Sequence, residues 1–527
     1  MTIEPNYAST PTRPFALNQS LQTSLTAAVR SGSASAHSLR YHSSVTTRSP
    51  ARVLPILLFL LLLVCPRPLA AYSLLTHEQL IDLTWHDSIV PLLLSRYPNL
   101  TPVDLERARA YAYAGCVIQD IGYYPFGDKS FSNLTHYVRS GDFVVNLFRN
   151  AGDANELAFA VGALSHYIGD SIGHAQATNL AVPIEFPKLA SKFGRVVNYA
   201  QAPHQHVQTE FAFDIDQIAH HRLAPLHYQR HVGLRVPVRQ LALAYFQTYG
   251  ITEDFGRTGR RINVRGFRFA VHAFIPRVAY ALTLLHRKHE PPEIPSPDLD
   301  AIQKEVATVS ARDDWDHWRR KAGIGTYMLA GIICVIPKFG PLSLVAIKDP
   351  TTATEADYLH SVIQSTAVLR HAIASFTPPP PVRSTARPEA ASAETASQQE
   401  PPHPHSPTQN LAALQAFFSK FRDPLHPLPN RDLDTGNVVQ LGGYPLTDLT
   451  YAALLHQLTR LPSQPIPPGI KRDVLTYFAN PPADVVSREP AQLWTQIQAD
   501  LIVLATMPTT TEPEPYPTYG DDLETSK

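Results

Sequence analysis

Asn155 to Leu180 reads NELAFAVGALSHYIGDSIGHAQATNL. It is rich in alanine, contains no proline, and predicts one long helix. Leu157, Phe159, Val161 and Leu164 come first and predict that the helix is buried. His166, Asp170 and His174 follow, each four residues from the next. Residues at that spacing share one helical face, so a carboxylate stands between two imidazoles. Burying such a ladder is costly unless the groups are satisfied. A divalent cation satisfies them, and so does a hydrogen-bonded polar seam inside a helix bundle.

The flanking sequence is helical as well. Residues 78–97 (EQLIDLTWHDSIVPLLLSRY) place apolar residues three and four apart, with Pro91 predicting a kink or a break. Thr101 to Val117 (TPVDLERARAYAYAGCV) opens with a threonine cap and a proline just inside it. Val207–Ala219, Val236–Thr248 and Gly266–Arg287 continue the pattern, and no alternating run reads as a strand. The expected fold class is all-α: a multi-helix domain followed by further helical segments and disordered linkers.

Other candidate ligands lie on either side of the ladder. His206 and Glu210 in HVQTE are four apart, a spacing that clamps a metal or makes a surface salt bridge, and His204 offers an alternative. Asp120 closes the helix pattern containing Gly115 and Cys116, and His136 sits in NLTHY at a polar-to-helix junction. His77 ends YSLLTH, which begins at Tyr72. Were Tyr72 the mature N-terminus, its amino and carbonyl groups would chelate a metal and His77 would add a third donor. His77 also reads simply as a helix-entry residue beside Thr76.

Composition narrows the chemistry. The 45 basic and 45 acidic residues balance, so no overall field points to nucleic acid or an anionic surface. With three cysteines, of which Cys65 lies in an apolar leader, any metal site is built from imidazoles and carboxylates, a donor set that suits zinc. Val53 to Cys65 (VLPILLFLLLLVC), flanked by Arg48 and Arg52 and followed by PRPLAA, reads as a signal peptide cut after Ala71. An uncleaved anchor and a lipidated Cys65 are the alternatives.

The expected organisation is residues 1–50 as a disordered extension, 51–71 as the signal peptide and 72–288 as the catalytic domain. Residues 289–376 read as a helical extension with an apolar segment (Gly323 to Lys348), which is either buried core or membrane-contacting. Residues 377–409 form a Pro/Ala/Ser-rich linker, 410–507 a C-terminal helical region and 508–527 a disordered tail.

Taken in order, N-terminus, His77, Asp120, His136, His166, Asp170, His174, His206 and Glu210 resemble the ligand set of the zinc-dependent phospholipase C family and of its relatives, the single-strand-specific zinc nucleases. The HxxxDxxxH ladder is also similar to that of glycosylphosphatidylinositol-specific phospholipase D. The resemblance covers roughly Tyr72 to Ala212 and implies two or three zinc ions. One would be held by Asp120, His136, His166 and Asp170, and a second by His174, His206 and Glu210. A third would take Tyr72 and His77, with Asp170 bridging it to the first. Tyr72 stands where those relatives commonly have tryptophan.

The resemblance further implies an exported hydrolase that cleaves phosphodiester bonds of phospholipids at a membrane or micelle surface. Attack on phosphorus would come from zinc-bound hydroxide, with Asp120 either orienting or deprotonating the water or serving purely as a structural ligand. No specific nucleic acid is expected as a partner. The competing expectations are a zinc-dependent nuclease or nucleotidase, and a non-catalytic, zinc-stabilised lipid-binding protein.

Overall fold

The computed structural model describes residues 74–124, 127–255, 257–286, 294–335, 345–378, 426–488 and 490–511, all within the unit Leu58–Lys527. The extension, the signal peptide, Tyr72, nearly all of the 377–409 linker and the tail beyond 511 lie outside the described residues.

Helices make up the described fold. Its only β-type contacts among the described residues are two isolated bridges, Arg431 with Val438 and Ile466 with Thr509. The quoted stretch forms a central helix, Ala154–Gly173, nearly all of it buried. Asp153 caps it by accepting the backbone N–H groups of Asn155 and Glu156, which satisfies two of the donors a helix start leaves open. Helical bonding continues to His174, whose N–H reaches the Asp170 carbonyl, and only then widens into a π-turn, His174–Thr178. The four-residue spacing of His166, Asp170 and His174 is therefore kept intact.

Helix Pro102–Gly115 packs against the central helix with almost no gap. A Cβ on Gly115 would meet the Phe159 carbonyl oxygen at 2.1 Å, and one on Gly162 would meet the Ala112 carbonyl oxygen at 2.2 Å. Two glycines thus permit backbone-to-backbone contact. Thr101 and Asp104 form a reciprocal capping box at the start of this helix. The break expected at Pro91 is a π-turn, Trp85–Ile89, between helices Leu74–Thr84 and Val90–Arg96.

One apolar core runs from Leu74 to Met507. The segments read separately at 289–376 and 410–507 both contribute to it. Tyr358 and Leu369 come from helix Thr352–Ser375, and Leu433 and Leu454 from the C-terminal region. In the apolar segment, helix Ile324–Val335 buries Ala330 and Ile333 but exposes Ile324, Tyr327, Met328 and Val335. The buried-core reading therefore holds for one side of this helix only, because the other side packs against none of the described residues. Among the described residues no helix is long and apolar enough to cross a membrane.

Candidate metal centre

Four elements bring side chains to the central helix, which carries His166, Asp170 and His174. Helix Leu74–Thr84 carries His77, the turn Gln119–Gly122 carries Asp120, and helix Lys129–Tyr137 carries His136. Helix Pro203–Ala219 brings His206 and Glu210. All converge on the ladder of the central helix, and every one of these side chains is buried. Gly169 leaves room for the helix that carries His77, since a Cβ there would lie 2.9 Å from Leu80 Cδ1.

Asp170 is the hub. Its Oδ1 lies 3.2 Å from His77 Nε2 and 3.8 Å from His174 Nε2, and its Oδ2 lies 3.1 Å from His166 Nε2 and 3.4 Å from His136 Nε2. Asp120 Oδ1 stands 3.3 Å from His136 Nε2. Beyond the ladder, Glu210 Oε1 is 3.0 Å from His174 Nε2 and 2.9 Å from His206 Nε2. Three groups of ligand atoms result: His77, His166 and Asp170; Asp120, His136 and His166; and His174, His206 and Glu210. His206 occupies the position for which His204 was the alternative.

The tautomers decide what these contacts are. His136 Nδ1 donates to the Ser132 carbonyl (2.7 Å), His166 Nδ1 to the Cys116 carbonyl (3.0 Å) and His174 Nδ1 to the Leu433 carbonyl (2.9 Å). A neutral imidazole carries one N–H, so each of these Nε2 atoms is a lone pair aimed at other acceptors. Neither oxygen of Asp120, Asp170 or Glu210 receives a directed hydrogen bond, although all are buried. Acceptors facing acceptors in a dry interior require a positive charge between them.

Protons or metal ions supply that charge. Burial alone would depress His136 and His174, but the carboxylates of Asp120 and Asp170 raise the first to about 10, and those of Asp170 and Glu210 raise the second to about 10. Burial works to raise Asp170, yet His166 and His174 hold it well below the usual carboxylate range. Burial raises Asp120, against the pull of His166 and His136. Zinc with ligands at about 2.0–2.1 Å in tetrahedral geometry places donor atoms roughly 3.3 Å apart, and the separations above bracket that value. The nitrogen and oxygen donors, their spacing and their unmet acceptors fit zinc.

An all-helical domain that gathers imidazoles around a shared buried carboxylate has side-chain groups that could hold metal ions. Residues 76–253 match the family model described as zinc dependent phospholipase C. No curated protein and no solved structure matches the chain.

The match spans every expected ligand from His77 to Glu210, while Tyr72 lies outside both the match and the described residues. Sequence reasoning missed the groups that orient the ligands. Ser132 and Cys116 act through backbone carbonyls, which leave no trace in residue type. Leu433 and Asp434 come from NRDLDTGN (residues 430–437), which reads as a polar turn with nothing to connect it to His174.

Proposed function

We propose that the protein is an exported phosphodiester hydrolase that acts on phospholipids at a cluster of two or three zinc ions. The observation that carries the reading is Asp170, whose two oxygens lie within reach of His77, His136, His166 and His174. One carboxylate shared in this way would contribute to two metal positions at once, and metal bound there would supply the positive charge that a phosphodiester needs. When bound, zinc supplies Lewis acidity and lowers the pKa of water toward neutrality.

The chain's own residues do the rest. His136 and His166 hold one position together with Asp120 and Asp170; His174, His206 and Glu210 hold another; His77 and Asp170 face a third, which the Tyr72 terminus would complete. Asp120, with Oδ1 3.3 Å from His136 Nε2 and neither oxygen in a directed hydrogen bond, would orient the attacking water and accept its proton. The carbonyls of Ser132, Cys116 and Leu433 lock the imidazoles so that no reorientation accompanies the reaction. Export rests on the apolar run Val53–Cys65. The exposed apolar face of Ile324–Val335 supports contact with a lipid surface.

The test is zinc analysis of the purified mature protein, with N-terminal sequencing and paired assays on phosphatidylcholine and single-stranded DNA. Two or three zinc ions with hydrolysis of the lipid alone is the expected result. Cleavage of DNA instead makes the protein a nuclease, and zinc without either activity makes it a binding protein.

A further inference from the structure

Residues 430–444 lie far beyond the segment 76–253 that matches the family, yet they touch the metal ligands directly. Leu433 donates its N–H to the His136 carbonyl (3.1 Å) and accepts the Nδ1 proton of His174 on its own carbonyl (2.9 Å). One peptide residue thereby braces a ligand from each of two metal positions. Asp434 follows it, 3% exposed, with Oδ1 3.6 Å from His174 Nδ1. Its Oδ2 accepts the hydroxyls of Tyr137 (2.9 Å) and Tyr444 (2.5 Å), and its carbonyl accepts the Asn179 amide (2.6 Å).

The loop is built to stay in place. Asp432 accepts the Thr435 N–H (2.7 Å) on its side chain and the Gly436 N–H (2.9 Å) on its carbonyl. Gly436 has φ +70, and a Cβ there would meet the Ser171 carbonyl oxygen at 2.2 Å, so the loop lies directly on the ladder helix. A buried carboxylate held by two phenol hydroxyls and aimed at the back of a ligand imidazole is more than a loop anchor. The Leu433 carbonyl takes the Nδ1 proton and so fixes the tautomer of His174, and the Asp434 charge, 3.6 Å from the same nitrogen, strengthens Nε2 as a donor.

We infer that Asp434 is a positioning residue for the ligand His174, and that residues 432–436 complete the metal position formed by His174, His206 and Glu210. This rests on the metal-centre reading but not on the choice of substrate.

The test uses the full chain as wild type, as Asp434→Asn, and as the double variant Tyr137→Phe with Tyr444→Phe, which keeps the carboxylate but frees it to turn. Zinc affinity is measured by chelator competition, the ligand field by the visible spectrum of the cobalt(II)-substituted protein, and folding by melting of the metal-free form. The expected outcome is a loss of roughly 10–100-fold in zinc affinity at one position. An altered cobalt spectrum accompanies it, while the other positions keep wild-type affinity. Wild-type affinity and spectrum in both variants overturn the inference even if melting falls, because that result describes a purely structural loop. Should Asp434→Asn not fold, the tyrosine double variant decides by the same two readouts. No lipid enters the measurement, so a chain that binds zinc through Asp434 but hydrolyses no phospholipid refutes the proposed function alone. A wild-type chain that binds no zinc refutes both.

Discussion

The Nε2 atoms of His136 and His166 stand 3.3 Å apart, and each ring gives its Nδ1 proton to a backbone carbonyl. Two imidazole lone pairs at that distance repel unless a cation lies between them. Stripping metal with a chelator is therefore expected to abolish hydrolysis and lower the melting temperature. At free zinc about a thousandfold above Kd, each ion contributes about 4 kcal/mol to stability. A fall in Tm of at least about 5 °C, reversed by added zinc, is the expected reading in a thermal scan. An unchanged Tm after complete chelation contradicts a metal centre.

Asp170 bears on more than one metal position, so its loss is felt at each. Asp170→Ala is expected to bind at least two fewer equivalents of zinc for a chain that binds three, and to reduce hydrolysis by a factor of about 1,000 or more. Metal analysis and turnover, measured on a variant shown to be folded by circular dichroism, check this. Full zinc content in Asp170→Ala removes the bridging role.

Gly162 tests whether helix contact sets ligand position. Its α-carbon lies against helix Pro102–Gly115, whose last turn leads to Cys116, the carbonyl partner of His166. Gly162→Ala forces the helices apart and is expected to cost about 1–3 kcal/mol, with weakened zinc binding by the group containing His166. Gly323→Ala, where an added Cβ meets nothing within 4 Å, serves as the control. Equal stability of the two variants in urea denaturation argues against a tight contact.

The helix content and the ligand ladder were legible because both are periodic. A helix repeats every 3.6 residues, and His166, Asp170 and His174 fall on that repeat with apolar residues ahead of them. The His206–Glu210 pair was visible for the same reason. Asp120 sits on a single short turn and His136 stands on its helix with no second candidate ligand four residues away, so only their resemblance to a known ligand order singled them out. Asp434 was not legible at all: its role depends on a chain return of 260 residues from His174, and nothing local encodes that. The side of Ile324–Val335 left bare was hidden too, since composition reports apolarity and not which faces find a neighbour.

That bare side gives a prediction about substrate form. Tyr327 and Met328 are 60% and 63% exposed on adjacent positions of an uncharged helix. Burying an apolar side chain of this size yields up to about 1.5–3 kcal/mol. Replacing both with glutamate is expected to slow hydrolysis of phosphatidylcholine vesicles by roughly 10-fold while leaving a soluble short-chain phospholipid unaffected. Equal losses on both substrates, or none on vesicles, count against a lipid-docking face.

The last prediction concerns pH and lies outside the metal centre. His426 Nδ1 is 2.8 Å from Asp142 Oδ1, and its Nε2 is 3.6 Å from Asp473 Oδ1. Arg139 joins both carboxylates, and Arg472 reaches Asp473 at 3.9 Å. The bond to Asp142 raises the His426 pKa despite partial burial. Burial works to raise Asp142, but Arg139 and His426 together hold it below its usual range. A histidine with a raised folded pKa contributes stability that is fully present below its unfolded value of about 6.5 and is lost as pH rises through the folded value. The carboxylate behaves oppositely: its contribution is present above about pH 3.9 and disappears as pH falls through the lowered value. Their pairing is therefore strongest at about pH 5–6. His426→Ala is expected to lower Tm by about 1–2 °C there, with the deficit shrinking as pH rises past neutrality. Melting curves of wild type and variant across that range decide the matter, and a deficit that grows with rising pH reverses the sign of the argument.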